Sequence, residues 1–335
     1  MFKIDIHTHI LPENLNEITS RYSDSRFLKI EPIDEISAML NKDGQAFRKV
    51  DCNCWNHHIR IKECENTQVN MQVLSTIPVL FSYWAGKDEC QTLTQFINDH
   101  IAQICREDPQ KFIGLGTIPM QNTDMAISEM DRCINELNFS GIEIGSNINA
   151  ENLSDEKFQP VFEHAEKLGC AIFIHPWEMM GQADMQKYWL PWLVGMPAEI
   201  SRAICSIIFG GVLEKFPNLK IAFAHGGGSF PFTIGRIDHG YKVRPDLCAI
   251  DNAKLPSSYL KHFYVDSLVH DEKSMSFLLD KMGPEQIALG SDYPFPLGEL
   301  YPGKLIEEMD LSNSIKQRIL AGTALEWLGL NESEY

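Results

Sequence analysis

The sequence predicts a (β/α)8 TIM barrel with a small insertion after its first strand, and three observations carry that prediction. Eight short apolar runs with strand character recur along the chain, at residues 2–7, 72–76, 112–117, 141–144, 171–174, 220–224, 263–266 and 287–289. Longer segments with apolar residues at three-and-four spacing separate them, as at 124–137 and 156–168. That spacing is what an outer helix needs to cover a sheet, and strand–helix alternation argues for parallel strands. The length of 335 residues fits as well, because such barrels run from ~200 to more than 400 residues.

The first crossover is too long for a plain helix. Between about residues 15 and 60 the turn-like runs Ser20-Arg21-Tyr22-Ser23-Asp24-Ser25 and Lys42-Asp43-Gly44-Gln45 are flanked by short extended segments. A small insertion is expected there rather than a second domain. No internal repeat or linker divides the chain, so residues 1–335 are read as one domain.

Composition narrows the function classes. With 44% hydrophobic and 22% charged residues the chain can close a large core, which excludes disorder and fibrous repeats. A formal net charge of −17 disfavours nucleic acid and anionic membrane surfaces as partners. The chain has no run of about 18 apolar residues and opens without a basic segment and apolar signal core, so a cytoplasmic location is expected. The nine cysteines show no Cys-x-x-Cys spacing and read as reduced thiols, Cys52-x-Cys54 being the closest pair.

The chemistry concentrates at strand ends. His7-Thr8-His9 closes the first run, and residues two apart in a strand share a face, so both imidazoles can reach one ion. Taken alone, His-x-His also fits two partly exposed histidines. The balance shifts because His175, His225 and Asp292 each follow an apolar run, and strand C-termini converge on the one mouth where barrel enzymes place their catalytic groups. Imidazoles with one carboxylate suit a zinc-like ion and are too nitrogen-rich for calcium or magnesium. Five candidates exceed four ligands, so one should act as acid/base. His225 is the choice, since Gly226-Gly227-Gly228 would leave its loop open to substrate. The glycine run lacks the Lys-Ser/Thr of a phosphate-binding loop. The fourth run ends in Gly145 and Ser146, with no lysine or acid to bridge a second metal, so one ion is expected.

Around that mouth, Trp177, Trp189 and Trp192 follow the fifth run and serve either as pocket wall or as anchors of a long loop. Arg48 and Arg236 are candidate carboxylate forks. His57, His58, His100, His164, His239, His262 and His270 fall outside the strand-end pattern and are read as structural or surface residues.

The strand-end set, together with the runs at 5–12, 82–85, 188–199, 224–236 and 290–299, resembles the amidohydrolase superfamily and, within it, the zinc-dependent decarboxylases. The resemblance spans nearly the whole chain and is weakest at about 17–43. It implies non-oxidative loss of CO2 from an unstable dicarboxylate of tryptophan catabolism, which keeps that compound from cyclising to quinolinate. It further implies one zinc per chain held by His7, His9, His175 and Asp292, with His225 as acid/base beside a zinc-bound water. Arg48 would bind a substrate carboxylate, and Trp189 and Phe295 would line the cavity. Arg236 would reach the neighbouring subunit's pocket in a homodimer. Glu178 stands where the family's run has Asp. A hydrolase or an aromatic-acid decarboxylase of the same superfamily is the alternative. A small anionic substrate facing a chain of charge −17 requires attraction that is local to the mouth, with the surplus acids on outer helices.

Overall fold

The computed structural model describes residues 1–331. In chain order its strands are β1 (Ile4–Ile10), β2 (Lys29–Pro32), β3 (Ser37–Lys42), β4 (Gln45–Asp51), β5 (Met71–Thr76), β6 (Phe112–Thr117), β7 (Gly141–Gly145), β8 (Asn147–Ile148), β9 (Glu151–Asn152), β10 (Ala171–His175), β11 (Lys220–Phe223), β12 (Tyr264–Asp266) and β13 (Ile287–Ala288). Eight of these form one parallel sheet in the order β1-β5-β6-β7-β10-β11-β12-β13. The sheet closes on itself: Ile6 N donates to Leu289 O and His9 N to Tyr293 O, both at 2.8 Å, with a parallel bridge between Thr8 and Tyr293. All eight expected barrel strands are present, and closure removes the sheet's edges.

The strands are apolar because both of their faces are covered, and β1, β5, β6, β7 and β10 are buried along their whole length. The covering helices show the complementary pattern. In the helix Lys87–Glu107 the buried residues Leu93, Ile97, Ile101 and Ile104 recur at helical spacing. The expected helix over 124–137 forms as Thr123–Asn135, started by the Asn122 side chain accepting from Met125 N at 3.1 Å. The segment expected as one helix over 156–168 divides into a 3-10 turn, Glu156–Phe158, and the α-helix Gln159–Leu168, with Pro160 in its first turn, where a proline's missing N–H is tolerated.

Two boundaries differ from expectation. β1 continues past His7 to Ile10, so the His-x-His pair lies inside the strand rather than at its end. The insertion is a three-stranded antiparallel sheet, β2-β3-β4, and it is over by Asn56, whose side chain caps the helix His57–Thr67. Arg60, placed at the insertion's edge by its sequence, therefore belongs to the first covering helix, where it is fully buried. The insertion packs Phe27, Leu28, Ile30, Leu40 and Val50 into a second hydrophobic cluster against the helix Lys87–Glu107. That packing sets β4 beside the barrel mouth.

The segment Pro191–Phe209 is one helix long and apolar enough to cross a membrane by length and composition. It instead buries Ile200, Ala203, Ile204, Ile207 and Ile208 in the barrel's core cluster, together with the fully buried carboxylate of Glu199.

Candidate active site

β1 aims His7 and His9 into the barrel from one face, past a register shift between Asp5 and Thr8. His175 is the last residue of β10, His225 follows β11, and Asp292 follows β13. Ligand atoms of His7, His175, His225 and Asp292 all lie within 4.8 Å of one another. His9 belongs to the same knot, its Nε2 standing 3.2 Å from His7 Nε2 and 3.1 Å from Asp292 Oδ1. The structure thus brings together all five residues expected at the strand ends.

Second partners divide the four imidazoles into two kinds. His7 Nδ1 donates to Asp266 Oδ2 at 2.7 Å, His9 Nδ1 to the Thr76 carbonyl at 2.9 Å, and His175 Nδ1 to the Pro176 carbonyl at 2.9 Å. These oxygens only accept, so each of the three rings carries its proton on Nδ1 and turns an Nε2 lone pair inward. Two such lone pairs, on His7 and His9, face each other beside the Asp292 carboxylate, and His175 Nε2 is buried without any hydrogen-bond partner. A buried ring of acceptors with no donor among them is what a divalent cation fits. Burial, with the neighbouring imidazoles adding to it, pushes the His175 pKa well below its usual value, and burial also lowers that of His9. Both rings are therefore neutral, as ligation requires.

His225 is different. Its Nδ1 is buried without a partner, and its Nε2 is 3.7 Å from Asp292 Oδ2. Burial opposes its protonation, yet the Asp292 carboxylate, aided by Asp266, raises its pKa above 6.5. The ring is held through its backbone: His225 N and Gly226 N donate to the two oxygens of Asp266 at 2.8 and 2.7 Å. Asp266 thus fixes the ring of His7 and the loop of His225 together.

The glycines after His225 do not open the loop. Gly226, Gly227 and Gly228 all have positive φ, and Gly226 and Gly227 are buried. A Cβ on Gly226 would meet Val269 Cγ1 at 2.5 Å, and one on Gly228 would meet Pro197 O at 2.3 Å. They make a left-handed turn under close packing.

A cavity lies against His9, His175 and Asp292. Arg48, from β4, is the one cationic side chain other than histidine on its wall, and Trp177, Trp189, Trp192 and Phe295 supply the aromatic surface. The Arg48 guanidinium sits 4.6 Å from the Phe295 ring centroid, and no carboxylate of the described residues pairs with it. His225 lines a second cavity instead, with His270 and Ser274, and Asp292 and Trp192 belong to both walls. Arg236 lies exposed on the helix Phe230–Val243, outside both cavities of its own chain. Glu178 is exposed as well, away from the metal-facing atoms.

Four residues with roles here escaped the sequence reading. Asp266 is the last residue of a predicted strand, and that position was its signal. Glu143 lies within β7, two residues before the strand end where an acid was sought. It is fully buried, its Oε1 is 3.7 Å from His9 Nδ1, and burial pushes its pKa up. Glu199 accepts from Ser146 Oγ, Asn147 Nδ2, Met180 N and Arg202 Nη2, tying the tryptophan-bearing loop to the barrel rim. Its position within an apolar helix was a signal. His270, on the second cavity, offered none.

The amidohydrolase family model matches residues 4–330. The chain is 54% identical to the 2-amino-3-carboxymuconate-6-semialdehyde decarboxylase of Dictyostelium discoideum, over 99% of this chain and 93% of that one. It is 34% identical to the decarboxylase of the same name from Caenorhabditis elegans, over 99% and 95% of the two chains. Among solved structures it is similar to 5-carboxyvanillate decarboxylase of Novosphingobium aromaticivorans, complexed with manganese and a nitrobenzoic acid, with a TM-score of 0.83 at 22% identity over 98% and 96%.

Proposed function

The chain belongs to the amidohydrolase family and is a carboxy-lyase of it, and from that premise we propose that it removes CO2 non-oxidatively from 2-amino-3-carboxymuconate 6-semialdehyde, giving 2-aminomuconate 6-semialdehyde. The observation that carries the chemistry is the donor-free ring of His7, His9, His175 and Asp292, with His225 beside it left untethered at Nδ1. These four residues would hold one divalent ion, zinc in our reading, because three imidazoles and a carboxylate suit it. When bound, such an ion supplies Lewis acidity and lowers the pKa of a water it holds to about 7.

The chain's own groups do the rest. Arg48, unpaired in the cavity, takes one substrate carboxylate in its guanidinium fork. Trp189, Trp192 and Phe295 press on the flat conjugated chain and exclude water. The bond from carbon to the departing carboxylate breaks, CO2 leaves, and that carbon takes up one proton. Neither an oxidant nor a reductant is needed. His225 moves that proton: burial opposes its protonation, but the Asp292 carboxylate beside it shifts the balance towards the protonated ring. The reaction would draw an unstable intermediate of tryptophan catabolism away from quinolinate.

The cavity's one guanidinium answers the charge problem posed by the sequence, since attraction of a dicarboxylate then rests on Arg48 and the ion. A second arginine would come from a homodimer. Arg236 is exposed and outside its own cavities, and Phe232 on the same helix is 82% exposed, which supports a partner there. Mixed His225→Ala and Arg236→Ala chains should recover activity as hybrid dimers, and no recovery despite proven exchange rejects the shared site. The nine free thiols support a reducing, cytoplasmic setting.

The function itself is tested by supplying the semialdehyde and measuring CO2. One CO2 per substrate consumed is expected. Consumption without CO2, or rapid hydrolysis of amides or lactones, would point to a hydrolase on the same scaffold.

A further inference from the structure

We propose that His57, His58, Glu107 and Asp108 form a second divalent-metal site, for a transition ion of the zinc class, which clips the start of the helix His57–Thr67 to the end of the helix Lys87–Glu107. Ligand atoms of His57, His58 and Asp108 lie within 4.8 Å of one another. Glu107 Oε2 is 3.1 Å and Asp108 Oδ2 3.6 Å from His57 Nε2. The other oxygen of Glu107 accepts from Gln103 at 2.8 Å, which leaves Oε2 turned towards the imidazoles. His57 Nε2 is buried yet forms no hydrogen bond of acceptable geometry, so the carboxylate beside it is not satisfying it as an ordinary partner.

The two helix ends make the charge pattern unusual. Carboxylates are disfavoured at a helix C-terminus and protonated imidazoles at an N-terminus, because each meets the like end of the helix dipole. Here two carboxylates close one helix and two histidines open the other. No lysine or arginine of the described residues pairs with either carboxylate, although Arg106 is adjacent. A metal ion resolves both conflicts at once, since it neutralises the acids and binds imidazole in its neutral form. Imidazole nitrogens with carboxylate oxygens select zinc, cobalt or nickel over magnesium and calcium. His58 is exposed, so ions can enter and leave from solvent.

The test uses the full-length enzyme with its first metal loaded, titrated with Zn2+ or Co2+ while bound metal and thermal midpoint are followed. A second equivalent should bind and raise the midpoint, with Mg2+ doing neither. His57→Gln/His58→Ala should weaken that second equivalent roughly tenfold or more while leaving decarboxylation unchanged, and His175→Ala should keep it while losing the first. If the double variant fails to fold, Asp108→Asn reads the same loss from the other helix. Saturation at a single equivalent in the unaltered enzyme, or a second equivalent undiminished in these variants, overturns the proposal.

Discussion

Along β1 and at the strand ends beside it, His7 and His9 are fully buried and His175 nearly so, and each ring is pinned by an oxygen behind it. On the facing wall Trp189 is 42% exposed, its neighbour Tyr188 is exposed too, and both sit at positive φ on a loop fastened mainly at its base by Glu199. The two regions border one cavity but are built by different means. The strand ends offer polar atoms in fixed directions with no alternative partners, which suits an ion that tolerates little displacement. The loop wall offers broad aromatic surface with few directional bonds, which suits recognition of a flat substrate and can change without disturbing the centre. Damage at the strand ends should therefore abolish chemistry, and damage on the loop wall should shift affinity.

The largest effect expected is at His175. His175→Ala removes an inward lone pair that nothing else supplies, so metal content should fall well below one per chain and turnover to background, as read by metal analysis on the assayed sample. Asp266→Asn comes next. It removes the charged acceptor of His7 Nδ1 and one of the two anchors of the His225 loop, and about 10- to 100-fold weaker metal binding is expected in a chelator competition. Full affinity in that variant would mean the tether is dispensable. Arg48→Met lies on the boundary between the regions. Loss of a charge-assisted carboxylate contact worth about 1.5–3 kcal/mol should raise KM roughly 10- to 100-fold with metal content unchanged. The smallest effect belongs to the loop: Trp189→Ala should raise KM by about threefold to tenfold, the size of an aromatic contact worth ~0.5–1.5 kcal/mol. A Trp189 variant that lost metal would erase the distinction between the walls.

The same division explains what could be read from the sequence. Strand-end histidines announce themselves because an apolar run ending in a polar residue is a local pattern, and the barrel rule converts four such patterns into one site. Asp266 fits that pattern too, but nothing local in the sequence pairs it with His7. Glu143 was hidden by being inside its strand, where only the closed barrel shows that its face meets His9. The glycine run was recognisable, but its purpose was not, since the close approach of Val269 and Pro197 is a tertiary fact. His225 was singled out for an openness that its glycines do not provide; the structural reason for setting it apart is its unpartnered Nδ1. His57 and His58 fall outside the strand-end pattern, and their acids lie about 50 residues further on, on another helix, where no local spacing reveals them.

On this division of roles three tethered imidazoles would bind the ion and the fourth would move the proton. The most direct test is metal content and CO2 release measured on one preparation of His225→Ala. A full complement of metal with turnover reduced by about 10²- to 10⁴-fold is predicted. Metal lost in proportion to activity, as in His175→Ala, would make His225 a ligand and contradict the division of roles.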